Sequence, residues 1–285
     1  VERTVDANGL RIWCETFGKP ADPAVLLIMG LGAQGVAWPE PLCQRIADNG
    51  RYVIRYDQRD VGLSSSVDFE TNPYTFTDLA ADAVGLLTGL EIAAAHVVGA
   101  SMGGMVAQEI ALEYSARMLS MTCIMSTAEP IDPSTGTFRG AVPDPRIVAW
   151  QTEYGANPPQ SAQARVDSVV ELARINAGTL EPFDEAAQRM IIELEDKRGD
   201  RAAAAANHTK AALASRDRAG LVSSIGVPTL VIHGTEDVMA PPDHGAALAS
   251  AIAGSTFLTI EGMGHELPAT AFHRIVTAII DHTGG

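Results

Sequence analysis

Two hydrophobic rhythms alternate along the chain. Short, continuous apolar runs occur at AVLLIM (24–29), YVIRYD (52–57), HVVGA (96–100), LSMTCIMS (119–126), TLVIHG (229–234) and TFLTI (256–260). Between most of them lie stretches whose apolar residues recur at helical spacing: WPEPLCQRIADNG (38–50), FTDLAADAVGLLTGL (76–90) and MVAQEIALEY (105–114). The first kind reads as strands buried on both faces, the second as amphipathic helices. Their alternation predicts an α/β fold, a mostly parallel twisted sheet with helices on both faces. The opening segment RTVDANGLRIWCETFG, with Asn8-Gly9 at its turn, predicts a hairpin that adds antiparallel edge strands.

Between about residues 127 and 227 the alternation stops. TAEPIDPSTGTFRGAVPDP reads as loop, and only helical patterns follow it. PFDEAAQRMIIELEDKRG (182–199) is the clearest of these. Pro182 and Asp184 suit a helix start, Ala187, Met190, Ile191 and Leu194 form one apolar face, and Lys197-Arg198-Gly199 suit a helix end. The expected organisation is therefore an α/β core of residues 1–126 and 228–285 interrupted by an all-helical insertion, residues 127–227. Open parallel sheets bind ligands at the carboxyl ends of their strands. An insertion leaving there would roof the site as a cap.

One strand-to-helix junction carries chemistry. Gly99-x-Ser101-x-Gly103 stands where the run 96–100 ends and a helical pattern begins. This is the context of a nucleophile elbow: a tight turn lifts the hydroxyl clear of the sheet, and glycines before and after it let strand and helix approach closely. Free N–H groups at the helix start favour developing negative charge there.

A serine hydroxyl needs a general base, and the base needs an orienting carboxylate. Of seven histidines, His96 lies within a strand and reads as a core residue, and His208 lies in the insertion. His233 ends a strand, His244 follows APPD on an expected surface turn, and His273 and His282 fall in the C-terminal helix and tail. His265, in the glycine-rich loop EGMGHELP between the last strand and the last helix, can hang over the strand ends. The acid is expected from the loop after TLVIHG, where Asp237 is favoured over its neighbour Glu236. Two N–H donors must be aimed at an oxyanion. Met102, next to the nucleophile, supplies one, and Leu31, between Gly30 and Gly32, the other.

Composition narrows the alternatives. The formal charge of −15 and the lack of a basic stripe exclude a nucleic-acid partner. No apolar run is long enough to span a membrane, so no stable membrane association is expected. Three scattered cysteines form neither a disulfide framework nor a metal-ligand set, Cys123 reads as inert core, and the reducing cytoplasm is the expected compartment. No metal or other cofactor is implied. Gly30-x-Gly32-x-x-Gly35, with Asp57 after the next strand, superficially matches a dinucleotide fingerprint, but Trp38-Pro39 at the start of the next helical pattern argues against it. Nothing in the sequence fixes the oligomeric state.

The set GASMGG, YDQRDVGLS, VIHGTEDVMAP and GMGH, in this order, resembles the α/β-hydrolase superfamily over essentially the whole chain. More narrowly, LLIMGLGAQGVAWP, VIRYDQRDVGLSS and PTLVIHGTEDVMAPPDHGAALA are similar to the bacterial carboxylesterase branch that includes aclacinomycin methylesterase. The resemblance implies a triad of Ser101, Asp237 and His265, oxyanion donors at Leu31 and Met102, and a small or medium apolar ester substrate, with a methyl ester of an aromatic polyketide as one candidate. Two departures from the superfamily pattern stand out. Met29-Gly30 replaces a common His-Gly, and Asp60 follows Arg59 where many members have glycine. Asp60 is expected to pair with Arg59 or Arg55. Trp38, Met105, Trp150, Phe183 and Met190 are the candidate pocket residues. Cofactor-free haloperoxidases and carbon–carbon bond hydrolases keep the same triad and stay open as alternatives, as does a non-catalytic binding protein on the same scaffold.

Overall fold

The two rhythms settle into alternating layers. The computed structural model describes residues 1–134, 137–142, 144–199 and 201–284. Strands β1 (Glu2–Ala7) and β2 (Leu10–Phe17) form the expected hairpin, and β3 (Ala24–Ile28) follows. Helix α1 (Glu40–Asp48), β4 (Tyr52–Tyr56), α2 (Phe76–Gly89), β5 (Ala95–Ala100), α3 (Met102–Glu113) and β6 (Met118–Ile124) come next. Beyond them lie a two-residue-per-strand hairpin, β7 (Ile131–Asp132) and β8 (Thr137–Phe138), and four helices, α4 (Pro145–Ala156), α5 (Ala162–Asn176), α6 (Glu185–Arg198) and α7 (Arg201–Ala214). The chain returns through β9 (Thr229–Gly234), α8 (Pro242–Ala251), β10 (Thr256–Ile260) and α9 (Phe272–His282).

Among the described residues one sheet has the order β1-β2-β4-β3-β5-β6-β9-β10. It is parallel from β4 to β10 and antiparallel where β2 meets β1 and β4. Every residue of β3, β4, β5 and β9 is buried, which is why those segments show no polar alternation. Successive residues serve opposite faces. Leu26, Ile28 and Val97 join a cluster with α2, α3 and α8, whereas Val25, Leu27 and Val98 join one with α1 and α9. A capping box between Thr75 and Asp78 fixes the start of α2.

Several expectations are corrected. The segment between β6 and β9 is not wholly helical, since β7 and β8 pair within it. Thr135, Gly136 and Pro143 of the expected loop lie outside the described residues. Helix α6 does start at the Asp184 cap, which accepts from the Ala187 N–H, but its buried side chains are Ile192 and Glu195. Met190 and Leu194 are 69% and 45% exposed. The helix is rotated because Glu195 turns inward to accept the Gln34 N–H at 2.8 Å, a contact that hydrophobic periodicity does not register. Arg59 pairs with Asp82 and Arg55 with Glu15. Asp60 instead accepts from the Val67 N–H, the Tyr74 hydroxyl and Asn207, so it ties a loop of the sheet to α7. His244 is buried in α8, where it meets Thr127, and does not lie on a surface turn. His96 is a buried core residue bonded to Ser120.

Candidate active site

Ser101 stands alone between the end of β5 and the start of α3, at φ 53° and ψ −123°. A side chain in the left-handed region is strained, and its neighbours hold it there. The Ser101 N–H donates to the Ile124 carbonyl at 2.9 Å, and its carbonyl accepts from the Ser126 hydroxyl at 2.8 Å. Gly99 and Gly103 permit the crossing. A Cβ on Gly99 would strike the Gly103 carbonyl, and one on Gly103 the Ile28 carbonyl. Gly103→Ala must therefore push α3 away from β3. Overpacking of this kind costs about 1–3 kcal/mol and occasionally more, so urea unfolding should show a lower midpoint. Hydrolytic activity is expected to fall with it, because the turn carrying Ser101 shifts.

The loops after β9 and β10 bring two further side chains to the hydroxyl. His265 Nε2 lies 3.0 Å from Ser101 Oγ, and His265 Nδ1 lies 2.8 Å from Asp237 Oδ2 and 3.0 Å from Oδ1. The main chain fixes these loops. Glu236 N–H donates to the Met263 carbonyl, and His265 N–H donates to the carbonyl of Asn176, at the end of α5. Asp237 is buried and accepts the Met239 and Ala240 N–H groups at 2.9 and 2.8 Å. His233 approaches from behind: its Nε2 donates to the Ala240 carbonyl at 2.7 Å and lies 3.3 Å from Asp237 Oδ2. Burial pushes the Asp237 pKa up, but the adjacent His265 and the hydrogen bonds from His233 and His265 prevail and hold it well below the usual carboxylate range. Glu236, the other acid considered for this place, turns to the N–H and hydroxyl of Thr179.

Beside the hydroxyl lies the loop that follows β3. A Cβ on Gly30 would sit 3.1 Å from Ser101 Cβ. Among the described residues neither the Leu31 nor the Met102 N–H has a hydrogen-bond acceptor. Both residues, with Ser101 and His265, line a cavity of about 870 Å³. Its walls are mainly apolar, with Phe76, Phe138, Ile147, Val169 and Tyr154 among them. Met105 and Trp150 are part of the lining, as expected, whereas Trp38, Phe183 and Met190 are not. Trp38 is fully buried in the core under α1 and α9. Phe183 packs beside Val166, Val170 and Ile192 beneath the Arg174 guanidinium. Met190 faces outward, because α6 is rotated. Asp57 is fully buried, accepts the Gly35 and Leu63 N–H groups and pairs with Arg198. Its carboxylate is thus committed to the protein and is not presented to a ribose.

The arrangement can activate a hydroxyl and stabilise an oxyanion, and its relatives carry names consistent with that chemistry. The family model for the alpha/beta hydrolase fold matches residues 23–271. The rhodomycin D methylesterase of Streptomyces peucetius is 33% identical over 99% of this chain and 97% of its own length, and that of Streptomyces sp. strain C5 is 32% identical over the same shares. The solved enol-lactonase of Burkholderia xenovorans LB400 superposes with a TM-score of 0.77 at 25% identity, covering 99% of this chain and all of that one. The esterase of Exiguobacterium antarcticum, at 18% identity and a TM-score of 0.81 over the full length of both chains, shares the fold. The chain belongs to the α/β-hydrolase family.

Proposed function

We propose that the protein is a serine carboxylic ester hydrolase that cleaves a methyl ester of a bulky, largely apolar acid of the aromatic polyketide kind. The observation that carries the reading is the unbroken series Ser101 Oγ, His265 and Asp237, of which Ser101 and His265 line an apolar cavity and Asp237 is buried behind them. In this reading His265 takes the Ser101 proton as Oγ attacks the ester carbon, and Asp237 holds the imidazole and stabilises its cation. The Leu31 and Met102 N–H groups receive the developing oxyanion, each worth on the order of 3 kcal/mol in the transition state. His265 then protonates the departing alkoxide, methanol leaves, and a water activated by His265 cleaves the acyl-enzyme.

The likeness to the two rhodomycin D methylesterases over 99% of the chain supports the methyl ester. The cavity supports the bulky acid: about 870 Å³ is near the upper end of the roughly 300–1,000 Å³ typical of small-molecule sites. Residues 127–227 are assigned as the cap, since α4 to α7 and the β7–β8 hairpin supply much of the lining opposite Ser101. Among the described residues no helix is long and apolar enough to cross a membrane.

The test has two parts. Peptide mass spectrometry after fluorophosphonate treatment should place one adduct on Ser101. Methyl esters of polycyclic aromatic acids should then be turned over with a higher kcat/KM than methyl esters of short aliphatic acids. An adduct on Ser101 with the opposite preference would keep the esterase reading and refute the substrate class. Absence of both adduct and hydrolysis would overturn the enzyme reading in favour of a binding protein on this scaffold.

A further inference from the structure

We propose that His208, on α7, is a positioning residue for ester hydrolysis: it holds the loop after β3 so that the Leu31 N–H points at the oxyanion. The inference rests on the esterase reading and adds to it a group that does not touch substrate.

The main-chain donors of that loop can be followed one by one. Ala33 N–H donates to the Gly30 carbonyl at 3.3 Å. Gly35 N–H donates to Asp57 Oδ1 at 2.7 Å. Gln34 N–H donates to Glu195 Oε1 at 2.8 Å, and the Gln34 side-chain amide donates to the Glu195 carbonyl at 2.8 Å. Gly32 N–H donates to His208 Nδ1 at 3.1 Å. From residue 31 to 35, only the Leu31 N–H is left for a ligand. A buried N–H without a partner is costly, so this pattern commits the loop to one orientation and reserves one donor.

His208 is suited to the task because its ring makes two bonds of opposite sense. It is fully buried. Since Nδ1 accepts from Gly32, it carries no proton, and Nε2 must then carry the proton and donate to the Arg59 carbonyl, 3.0 Å away. The ring thereby bridges two loops of the sheet from a helix of the insertion. Burial pushes its pKa below the ordinary histidine value, which keeps Nδ1 free to accept. The contact beneath is equally close. Gly32 has φ +64°, and a Cβ there would lie 2.8 Å from the Cβ of Ala205, one turn before His208 on α7. The pinned Gly32 N–H belongs to the peptide plane that follows Leu31. Only the Leu31 φ and ψ separate that plane from the one carrying the reserved donor, so releasing the first adds freedom to the second.

The test compares His208→Phe with His208→Gln on an ester that the wild-type protein hydrolyses. Phenylalanine keeps the ring but removes both bonds. A donor misplaced by a fraction of an ångström should lower kcat about 10- to 100-fold with KM changed less than about threefold. Affinity for a trifluoromethyl ketone, whose hydrate-like adduct mimics the oxyanion, should fall in proportion to kcat/KM. Affinity for the corresponding ether, which forms no oxyanion, should be unchanged. Glutamine can accept from Gly32 and donate to Arg59 and should restore most of the rate. If the phenylalanine variant does not fold, His208→Asn, too short to reach both groups, is expected to give the same split. In the wild-type protein a scalar coupling across the hydrogen bond between the Gly32 and His208 Nδ1 nitrogens should be measurable by NMR. An unchanged kcat, a parallel loss of ketone and ether affinity, glutamine no better than phenylalanine, or no such coupling overturns the proposal. A wild-type protein with no fluorophosphonate adduct and no hydrolysis overturns the esterase reading and this proposal with it, so the two failures are distinct.

Discussion

Ser101→Ala is expected to lower ester hydrolysis on the order of 10⁴- to 10⁶-fold and to leave the protein as stable as before. The size follows from the role. Without Oγ no acyl-enzyme can form, and the residual rate is what the Leu31 and Met102 donors and substrate positioning give to attack by water. Stability should hold because the bonds that fix the turn, to the Ile124 carbonyl and from the Ser126 hydroxyl, are made by the Ser101 main chain. Among the described residues the side chain makes one hydrogen bond, to His265. Alanine at φ 53° is no more strained than serine, so the thermal midpoint should move little, as for substitutions that remove no buried network. The measurement is kcat/KM with a chromogenic ester, alongside thermal unfolding of the same preparation. Retention of more than about a hundredth of the wild-type rate would mean that another group attacks. Loss of activity together with a collapse in stability would mean that the hydroxyl is a structural strut.

How much of this was legible in the sequence depends on the range over which each feature is decided. The strands of the sheet interior are local in their signal, since burial on both faces demands a continuous apolar run, and β9 falls where its run predicts. β10 also forms on its run, but it is the edge of the sheet and mostly exposed, so the expectation that it is buried on both faces is corrected. The turn at Ser101 is also local, because Gly99 and Gly103 have to be small for neighbouring carbonyls. The segment between β6 and β9 is different. Its helices are oriented by partners far away in the chain. Glu195 meets Gln34 across 161 residues, and His208 meets Gly32 across 176. A helical pattern cannot tell an inward glutamate from an outward one, so the sequence points to Met190 and Phe183 as pocket residues where Ile191 and Val169 line the cavity. Trp38 failed for another reason. It follows the loop of the candidate site in sequence, but its indole is fully buried in the core cluster that contains α1. His233 offered a hint in its position at the end of a strand, yet nothing local indicates that it backs Asp237.

Asp237→Asn is expected to lower kcat on the order of 10⁴-fold without unfolding the protein, and the hydrogen bonds around the carboxylate say why. Oδ1 accepts two main-chain N–H groups, from Met239 and Ala240. In the asparagine variant the amide oxygen must take that place, because an amide NH₂ cannot accept. The NH₂ then occupies the position of Oδ2, where His265 Nδ1 now stands at 2.8 Å. It also faces His233 Nε2, whose own proton is already directed to the Ala240 carbonyl. His265 Nδ1 also lies 3.0 Å from Oδ1, but that oxygen already accepts two main-chain N–H groups, so the donor–donor clash favours carrying the proton on Nε2 instead. That tautomer presents a proton to Ser101 Oγ and cannot accept one, so the hydroxyl loses its base while every atom stays near its place. The rate of fluorophosphonate labelling should fall with kcat, since both need the same proton transfer, and the unfolding midpoint should change little. Glu236→Gln is the matched control. Among the described residues that carboxylate bonds only Thr179, and the variant should stay within about threefold of wild type, as expected where the tautomer of the base is not set. A large loss at Glu236 with a near-normal Asp237→Asn would reverse the assignment and place the orienting charge on the other acid.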